Sequence, residues 1–393
     1  MVPNGWVNTT IGKLGSDKKP AVKAGPFGSA LKKEFYTESG YKIYGQEQVI
    51  SNDPFYGNYY IDENKFNSLK SCAVSPGDIL LSLVGTIGKV LLLPENCEKG
   101  IINPRLLRLS LDSKIVFNLF FKYFLEFDQT AKKLHRKAQG GTMGVINAES
   151  IKSLPILLPP IQEQQKIAEI LSTWDKAIAN TENLIANSEM QKKALMQQLL
   201  TGKKRLLDEN GVRFSEEWEK IALKHLCSIQ TGKKDANEGA EKGIYPFFTC
   251  AQKHIYSNNY SFDCEAILIA GNGVIGTTHY YIGKFEAYQR TYVLNNFNSI
   301  CLPTFLLQFI NYWFPIDINR EQQKGAMPYI KIGLLQNFKV NIPPLVEQKK
   351  IMAVLSNADR EIELLQAKLE HLKQEKKALM QQLLTGKRRV VIN

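Results

Sequence analysis

Twelve residues, Lys-Lys-Ala-Leu-Met-Gln-Gln-Leu-Leu-Thr-Gly-Lys, occur twice in this 393-residue chain, as Lys192–Lys203 and Lys376–Lys387, 184 positions apart. The match continues backwards at the same offset. Pro159-Pro160-Ile161-Gln162-Glu163-Gln164 faces Pro343-Pro344-Leu345-Val346-Glu347-Gln348, and Ile167, Leu171, Ser172 and Asp175 face Ile351, Leu355, Ser356 and Asp359. Further upstream, Gly141-Thr142-Met143 faces Gly325-Ala326-Met327 and Ile146 faces Ile330. Solenoid repeats run roughly 20–50 residues and need several copies. A domain-sized period present twice is a tandem duplication, so the fold must hold two copies of one element.

Both repeated stretches carry apolar residues at alternating steps of four and three. The second reads Ile351, Leu355, Ala358, Ile362, Leu365, Leu369, Leu372, Lys376, Leu379, Leu383; the first reads Ile167, Leu171, Trp174, Ile178, Thr181, Ile185, Ser188, Lys192, Leu195, Leu199. This is a coiled-coil rhythm, and such a seam requires a partner. Pro160 and Pro344 stand where a helix starts, Gly202 and Gly386 where one ends. Each helix should hold about 40 residues and, at 1.5 Å per residue, measure about 60 Å. The segment Lys203–Gly211, which leads from the first helix into the second globular stretch, is short. If that intervening domain has its termini close together, the second helix runs back along the first. An antiparallel pair with a globular domain at each end is expected.

The boundaries are then globular domains at residues 1–154 and 206–340 and helices within 155–205 and 341–393, an α+β chain with pseudo-two-fold character. Both domains open on a tryptophan before an alternating stretch (Trp6–Leu14, Trp218–Leu226). Both place an apolar strand before a glycine pair, Asp78–Gly88 and Ala266–Gly276. Both then show an arginine ahead of another strand, Arg105 and Arg290, and an aromatic-rich helix, Phe117–Leu125 and Phe305–Trp313. Between the domains the offsets drift from 212 to 185 while the helices keep theirs, so loops have changed length on a shared frame.

Lys and Arg number 50 against 38 Asp and Glu, a net charge of +12, which is the balance expected of a polyanion binder. The six cysteines are scattered without CxxC spacing or histidines at ligand spacing, so neither a disulfide framework nor a zinc site is indicated. The chain opens without a secretory signal, and no apolar stretch approaches 18 residues, the length a membrane span needs. A cytoplasmic protein without a membrane role is expected.

Candidate chemistry is sparse. Gly271-Asn-Gly273-Val-Ile-Gly276 is formally GxGxxG, but Thr277-Thr278-His279-Tyr280-Tyr281 reads as a strand where a dinucleotide site needs a helix N-terminus. A tight hairpin turn is expected instead. Leu83–Lys89 ends in Gly-Lys yet lacks the first glycine and the Ser/Thr of a P-loop. Asn52-Asp53-Pro54-Phe55-Tyr56 resembles the Asx-Pro-Pro-aromatic motif of amino-methyltransferases without its second proline, and reads as a turn. No catalytic constellation and no metal site can be nominated. Binding residues can. Ser29, Lys32, Lys33, Gln46, Gln48 and Arg105 in the first domain, with Lys233, Lys234, Gln289 and Arg290 in the second, mix lysines for phosphates with amides able to pair with an adenine edge. Lys132, Lys133, Arg136 and Lys137 form a basic run after a helix, suited to a phosphate track.

The pattern resembles one family over essentially the whole chain, the specificity subunits of type I restriction-modification enzymes. The resemblance rests on Leu158–Gln164 and Ile342–Gln348, on the repeated dodecapeptide, and on Gly25-Pro-Phe-Gly-Ser29, Gly77-Asp-Ile-Leu-Leu81 and Asn103-Pro-Arg105. The second domain departs from it, with Glu265-Ala266 for Gly-Asp and no Gly-Pro-Phe-Gly, which leaves its base-reading loop unplaced. The resemblance implies a non-catalytic subunit with two target-recognition domains, each reading half of a bipartite site in double-stranded DNA. It implies helices that set the spacing and dock two methyltransferase subunits, with motor-nuclease subunits beyond them, and S-adenosylmethionine on those partners and not on this chain. Seam residues Ile167, Leu171, Trp174, Ile178, Leu195, Leu199, Ile351, Leu355, Ile362, Leu365, Leu369, Leu372, Leu379 and Leu383 would carry the coiled coil and subunit docking. Two other classes stay open: a nucleotide-binding enzyme built on the glycine turn, and a purely structural coiled-coil scaffold.

Overall fold

Both repeated stretches are uninterrupted helices of 39 residues, Ile161–Leu199 and Leu345–Leu383. They are seen in a computed structural model that describes residues 2–392 apart from 18, 85, 140–146, 241, 274 and 322–328, and apart from the side chains of 135, 137–139 and 317–321. The duplicated glycine and methionine positions upstream of the helices therefore lie outside the described residues. The prolines act as their positions indicate. The Pro160 carbonyl accepts from the Glu163 and Gln164 N–H groups, the Pro344 carbonyl from those of Glu347 and Gln348. At the far ends Gly202 (φ 70°) and Gly386 (φ 69°) take the left-handed conformation that ends a helix.

The chain divides into two compact units, residues 1–181 with 368–393, and residues 182–367. Each unit therefore contains the N-terminal half of one long helix and the C-terminal half of the other. In the first unit Ile167, Ala168 and Leu171 share one core with Met380, Leu383 and Leu384. Asp175 takes Lys376 at 2.5 Å and Glu163 takes Arg389 at 2.7 Å. Residue number rises on one helix as it falls on the other, so the two halves run antiparallel. The second unit repeats this: Leu199 and Leu200 share a core with Ile351 and Leu355, Asp359 pairs with Lys192, and Glu347 takes Arg205 at 2.7 Å. Every seam residue named from the heptad pattern is buried or half-buried.

Each unit surrounds its helix halves with the same sheet. In the first, strands Val22–Ala24, Leu106–Leu109, Ile79–Ser82 and Val90–Leu92 lie in that order, all antiparallel. In the second, Ser228–Thr231, Thr291–Asn295, Phe262–Ala270 and Thr278–Ala287 lie in the same order. Beside the first sheet a three-stranded one pairs Tyr41–Tyr44 in parallel with Gly100–Ile102. Its counterpart, Tyr245–Phe248, pairs in parallel with the end of Thr278–Ala287 itself, at Glu286 and Ala287. One long strand thus does in the second unit what two short strands do in the first, and fuses the sheets into six strands. The opening alternating stretches are strands too, Val7–Thr10 on Pro155–Leu158 and Glu219–Ala222 on Lys339–Ile342, so each enters the helix from a closed two-stranded ribbon.

The Glu-Gln pair after each double proline fastens helix to domain. Glu163 is buried, accepting from the Trp6 indole at 3.0 Å and from Arg389 Nε and Nη2 at 2.7 and 2.8 Å. Glu347 is buried with the Trp218 indole at 3.1 Å and Arg205 Nε and Nη2 both at 2.7 Å. Gln164 accepts from the Phe117 N–H and donates to the Ile115 and Pro159 carbonyls; Gln348 accepts from Leu302 and donates to Ile300 and Pro343. Bidentate, charge-assisted bonds of this kind are among the strong ones, and losing one partner leaves a buried carboxylate without its counterion. Arg205→Ala is expected to lower the urea unfolding free energy of the second unit by about 3 kcal/mol. Arg389→Ala should cost less, because its guanidinium side chain is 42% exposed against 17% for Arg205. In the same core, burial pushes the thiols of Cys227 and Cys301 up to about 12, so at pH 8 neither is expected to react with a disulfide reagent until the protein is unfolded.

Candidate nucleic-acid interface

In each unit the loops at one end of the sheet lock together through the same backbone bonds. The Gly25 N–H donates to the Leu106 carbonyl, Leu83 to Arg105, Asn103 to Tyr44 and Gly88 to Ser82. In the second unit Gly232 donates to Thr291, Gly271 to Arg290, Tyr288 to Phe248 and Gly276 to Ala270. These four matched pairs settle which loops correspond. Gly232-Lys233-Lys234 occupies the place of Gly25-Pro26-Phe27, although the sequences share only the glycine. The requirement for glycine is steric: a Cβ would sit 1.9 Å from the Asn103 carbonyl oxygen at position 25 and 1.9 Å from the Ala287 carbonyl oxygen at position 232. The GxGxxG segment is the hairpin turn between Phe262–Ala270 and Thr278–Ala287, with Gly273 (φ 65°) and Gly276 (φ 77°) in the left-handed region.

The sequence-nominated residues divide cleanly. Ser29, Lys32, Lys33 and Arg105 are exposed on the first cluster, and Lys233, Gln289 and Arg290 on the second. Lys89, on the turn that closes beside Leu83, is an exposed cation that sequence reasoning did not nominate. Gln48 is a correction. It is fully buried, accepts from the Gly45 N–H at 2.7 Å and donates to the Tyr56 carbonyl at 2.6 Å, so its amide holds a loop and offers DNA nothing. Buried Lys42 pins the same loop, donating to the Phe55 and Gly57 carbonyls and pairing with Glu98 at 2.7 Å. Gln46 spends its amide on the Val84 carbonyl, and Gln289 donates to Asp235 at 3.1 Å. Lys234 is half-buried, 3.7 Å from Glu238. Amide direction and ion pairing depend on the folded neighbours, about which residue spacing is silent.

Lys132, Lys133 and Arg136 are exposed and follow the aromatic-rich helix Asn118–Glu126, on a second helix, Asp128–Gln139; the Lys137 side chain lies outside the described residues. This helix rests on the C-terminal half of the second long helix, through Asp128 with Lys377 at 2.7 Å and Gln129 with Gln381 at 3.3 Å. It forms a second basic surface, distinct from the loop cluster. The seam residues nominated for the coiled coil and subunit docking are buried or half-buried.

Tilted aromatic contacts add to the second cluster. Phe248 lies 5.4 Å from the His254 ring and 5.3 Å from the His279 ring. Burial, with His254 alongside, lowers the His279 pKa below the ordinary imidazole value, partly offset by the Ala251 carbonyl. At neutral pH His279 is therefore an uncharged hydrogen-bonding edge. Among the described residues no group of His, Cys, Asp or Glu could hold a metal ion.

Each cluster thus presents cations, a serine or amide and fixed backbone turns on a rigid sheet end, which is equipment for binding a phosphate polymer and reading it. A family model for the type I restriction modification DNA specificity domain matches this chain twice, over residues 25–189 and 215–374. The chain belongs to that family. The EcoDI specificity subunit of Escherichia coli is 36% identical over 169 residues, 43% of this chain and 37% of that protein. The MjaVIII specificity subunit of Methanocaldococcus jannaschii is 26% identical over an alignment that takes in 99% of this chain and 94% of the relative. The crystal structure of the S subunit from M. genitalium covers 96% of each chain at a TM-score of 0.58 and 19% identity. A chain from a structural study of type I assembly and conformational transition covers 99% of this one at a TM-score of 0.64 and 17% identity. Those two likenesses establish the shared fold of a specificity subunit with tandem domains. Among the described residues no helix is long and apolar enough to cross a membrane. Gly232→Ala is expected to displace the second cluster at a cost of about 1–3 kcal/mol, seen as a lowered melting temperature, while Gly28→Ala, with open space at its Cβ, leaves melting unchanged.

Proposed function

We propose that each unit of this specificity subunit reads one half of a bipartite site in double-stranded DNA through its loop cluster, and that the long helices fix the gap between halves. The observation that carries this reading is the same four-bond loop lock built twice, at Gly25 and Gly232, with different side chains on it. Identical frames with divergent loops suit two half-sites of different sequence.

The helices supply the reason for the repeated dodecapeptide. Lys193, Ala194 and Gln198 are exposed in the first copy and Lys377, Ala378 and Gln382 in the second, where Lys377 also pairs with Asp128. A modification subunit docking there meets the same residues in both places, which supports two such subunits per chain, with restriction subunits beyond them. S-adenosylmethionine belongs in this scheme to the modification subunits. Methylating a base inside a duplex requires flipping it out, and the contribution of this chain is to position the duplex. With all six cysteines free, the reducing cytoplasm is the fitting place of work.

The test is selection of bound duplexes from a random pool by this chain with its modification subunit, followed by sequencing. Two short blocks at a fixed unspecified gap are expected; a single contiguous block overturns the reading. On the selected duplex, Lys132→Ala, Lys133→Ala and Arg136→Ala together should weaken binding equally for all sequences, and should flatten the dependence of log affinity on log salt by about one unit for each phosphate that is no longer neutralised.

A further inference from the structure

Phe27 is 88% exposed, more than any other large hydrophobic side chain among the described residues. It does not hang from a loose loop. Pro26 is buried behind it, the Ala30 N–H donates to its carbonyl at 2.8 Å, and Gly25 is packed against Asn103 with no room for a Cβ. The fold therefore holds an aromatic ring out into water at a fixed position. The same loop cluster carries Lys33 and Arg105, exposed cations suited to phosphate oxygens, and Lys32, exposed and 3.6 Å from Glu34. A phenyl ring gains nothing from a phosphate. It gains from a base, where the apolar target in the major groove is the thymine 5-methyl group.

The second unit lacks such a residue. Lys233 and Lys234 follow Gly232 where Pro26 and Phe27 follow Gly25, and no aromatic residue occurs between Gly232 and Gly239. The difference is confined to one cluster of two that share a backbone, so the second cluster serves as an internal control.

Resting on the reading that this end of the first unit meets DNA, we infer that Phe27 is a base-contacting residue, packing on the methyl group of a thymine in the first unit's half-site. The test uses the full chain with its modification subunit and the duplex it selects. Each thymine is replaced by uracil in turn, which removes one methyl group, and affinity is measured for the wild type and Phe27→Ala. At one position of one half-site the wild type is expected to lose about three- to tenfold. Phe27→Ala should show a comparable loss on the all-thymine duplex and no further loss with uracil at that position. Its salt dependence should equal that of the wild type, and its responses in the other half-site should be unchanged, which a folding defect would not leave intact. Equal affinity of Phe27→Ala and wild type overturns the assignment. So does a loss independent of every thymine methyl, or a half-site without thymine on either strand. If the wild type selects no bipartite site at all, the functional reading fails; a bipartite site with an inert Phe27 defeats this inference alone.

Discussion

Two buried carboxylates hold this molecule's parts in register. Glu163 and Glu347 stand at the start of the long helices, each accepting an indole N–H from its domain's first tryptophan and a two-pronged bond from an arginine just beyond the end of the other helix. The arginines are 226 and 142 residues away in sequence. A buried carboxylate without these partners is costly, so the bonds specify where each helix starts against its domain and where the antiparallel partner ends. Seam hydrophobics supply attraction but little position, because a heptad repeat can slide by seven residues and still bury its leucines. The carboxylate latch and the pairs Asp175 with Lys376 and Asp359 with Lys192 remove that freedom.

The sequence was most legible where a periodicity or a terminator had only one structural meaning. Both helices have the length, start and end that the double prolines and terminal glycines indicate, and every seam position is buried or half-buried. The strand after GxGxxG, rich in β-branched and aromatic residues, ruled out a dinucleotide site for the reason found in the fold: a hairpin, not a helix N-terminus, comes after the glycines. Legibility failed where the meaning depended on which way a side chain turns. Gln48 looked like an adenine reader and is instead a buried brace. The missing Gly-Pro-Phe-Gly of the second domain concealed its counterpart loop, since only the glycine survives at position 232 and its offset, 232 − 25 = 207, is neither the 212 of the opening tryptophans nor the 185 of the arginines.

That loop shows what the duplication kept and what it released. Backbone bonds from the Gly25 and Gly232 N–H groups, and from Leu83 and Gly271 to the arginine carbonyls, are the same in both units. The residues these loops carry outward are not: a phenyl ring and serine in one, lysines in the other, a histidine pair beside Phe248 only in the second. Even strand connectivity has drifted, with Val90–Leu92 and Gly100–Ile102 merged into Thr278–Ala287.

Such drift is permitted because the loop lock is made by main-chain atoms. A backbone N–H to carbonyl bond asks nothing of the side chain except at the glycines: at 25, 232 and 271 a Cβ would strike a neighbouring carbonyl, and Gly88 and Gly276 have positive φ. The helix latch is the reverse case. It is made by side chains, Trp6 with Glu163 and Arg389, Trp218 with Glu347 and Arg205, and changing any one of the three leaves a buried polar group unmatched. Half of the architecture is thus tolerant of substitution and half is not, and the tolerant half is the end that carries the exposed cations. A protein built on this division can change what its loops read without disturbing how its helices pair, which is the physical condition for two recognition sites to diverge on one scaffold.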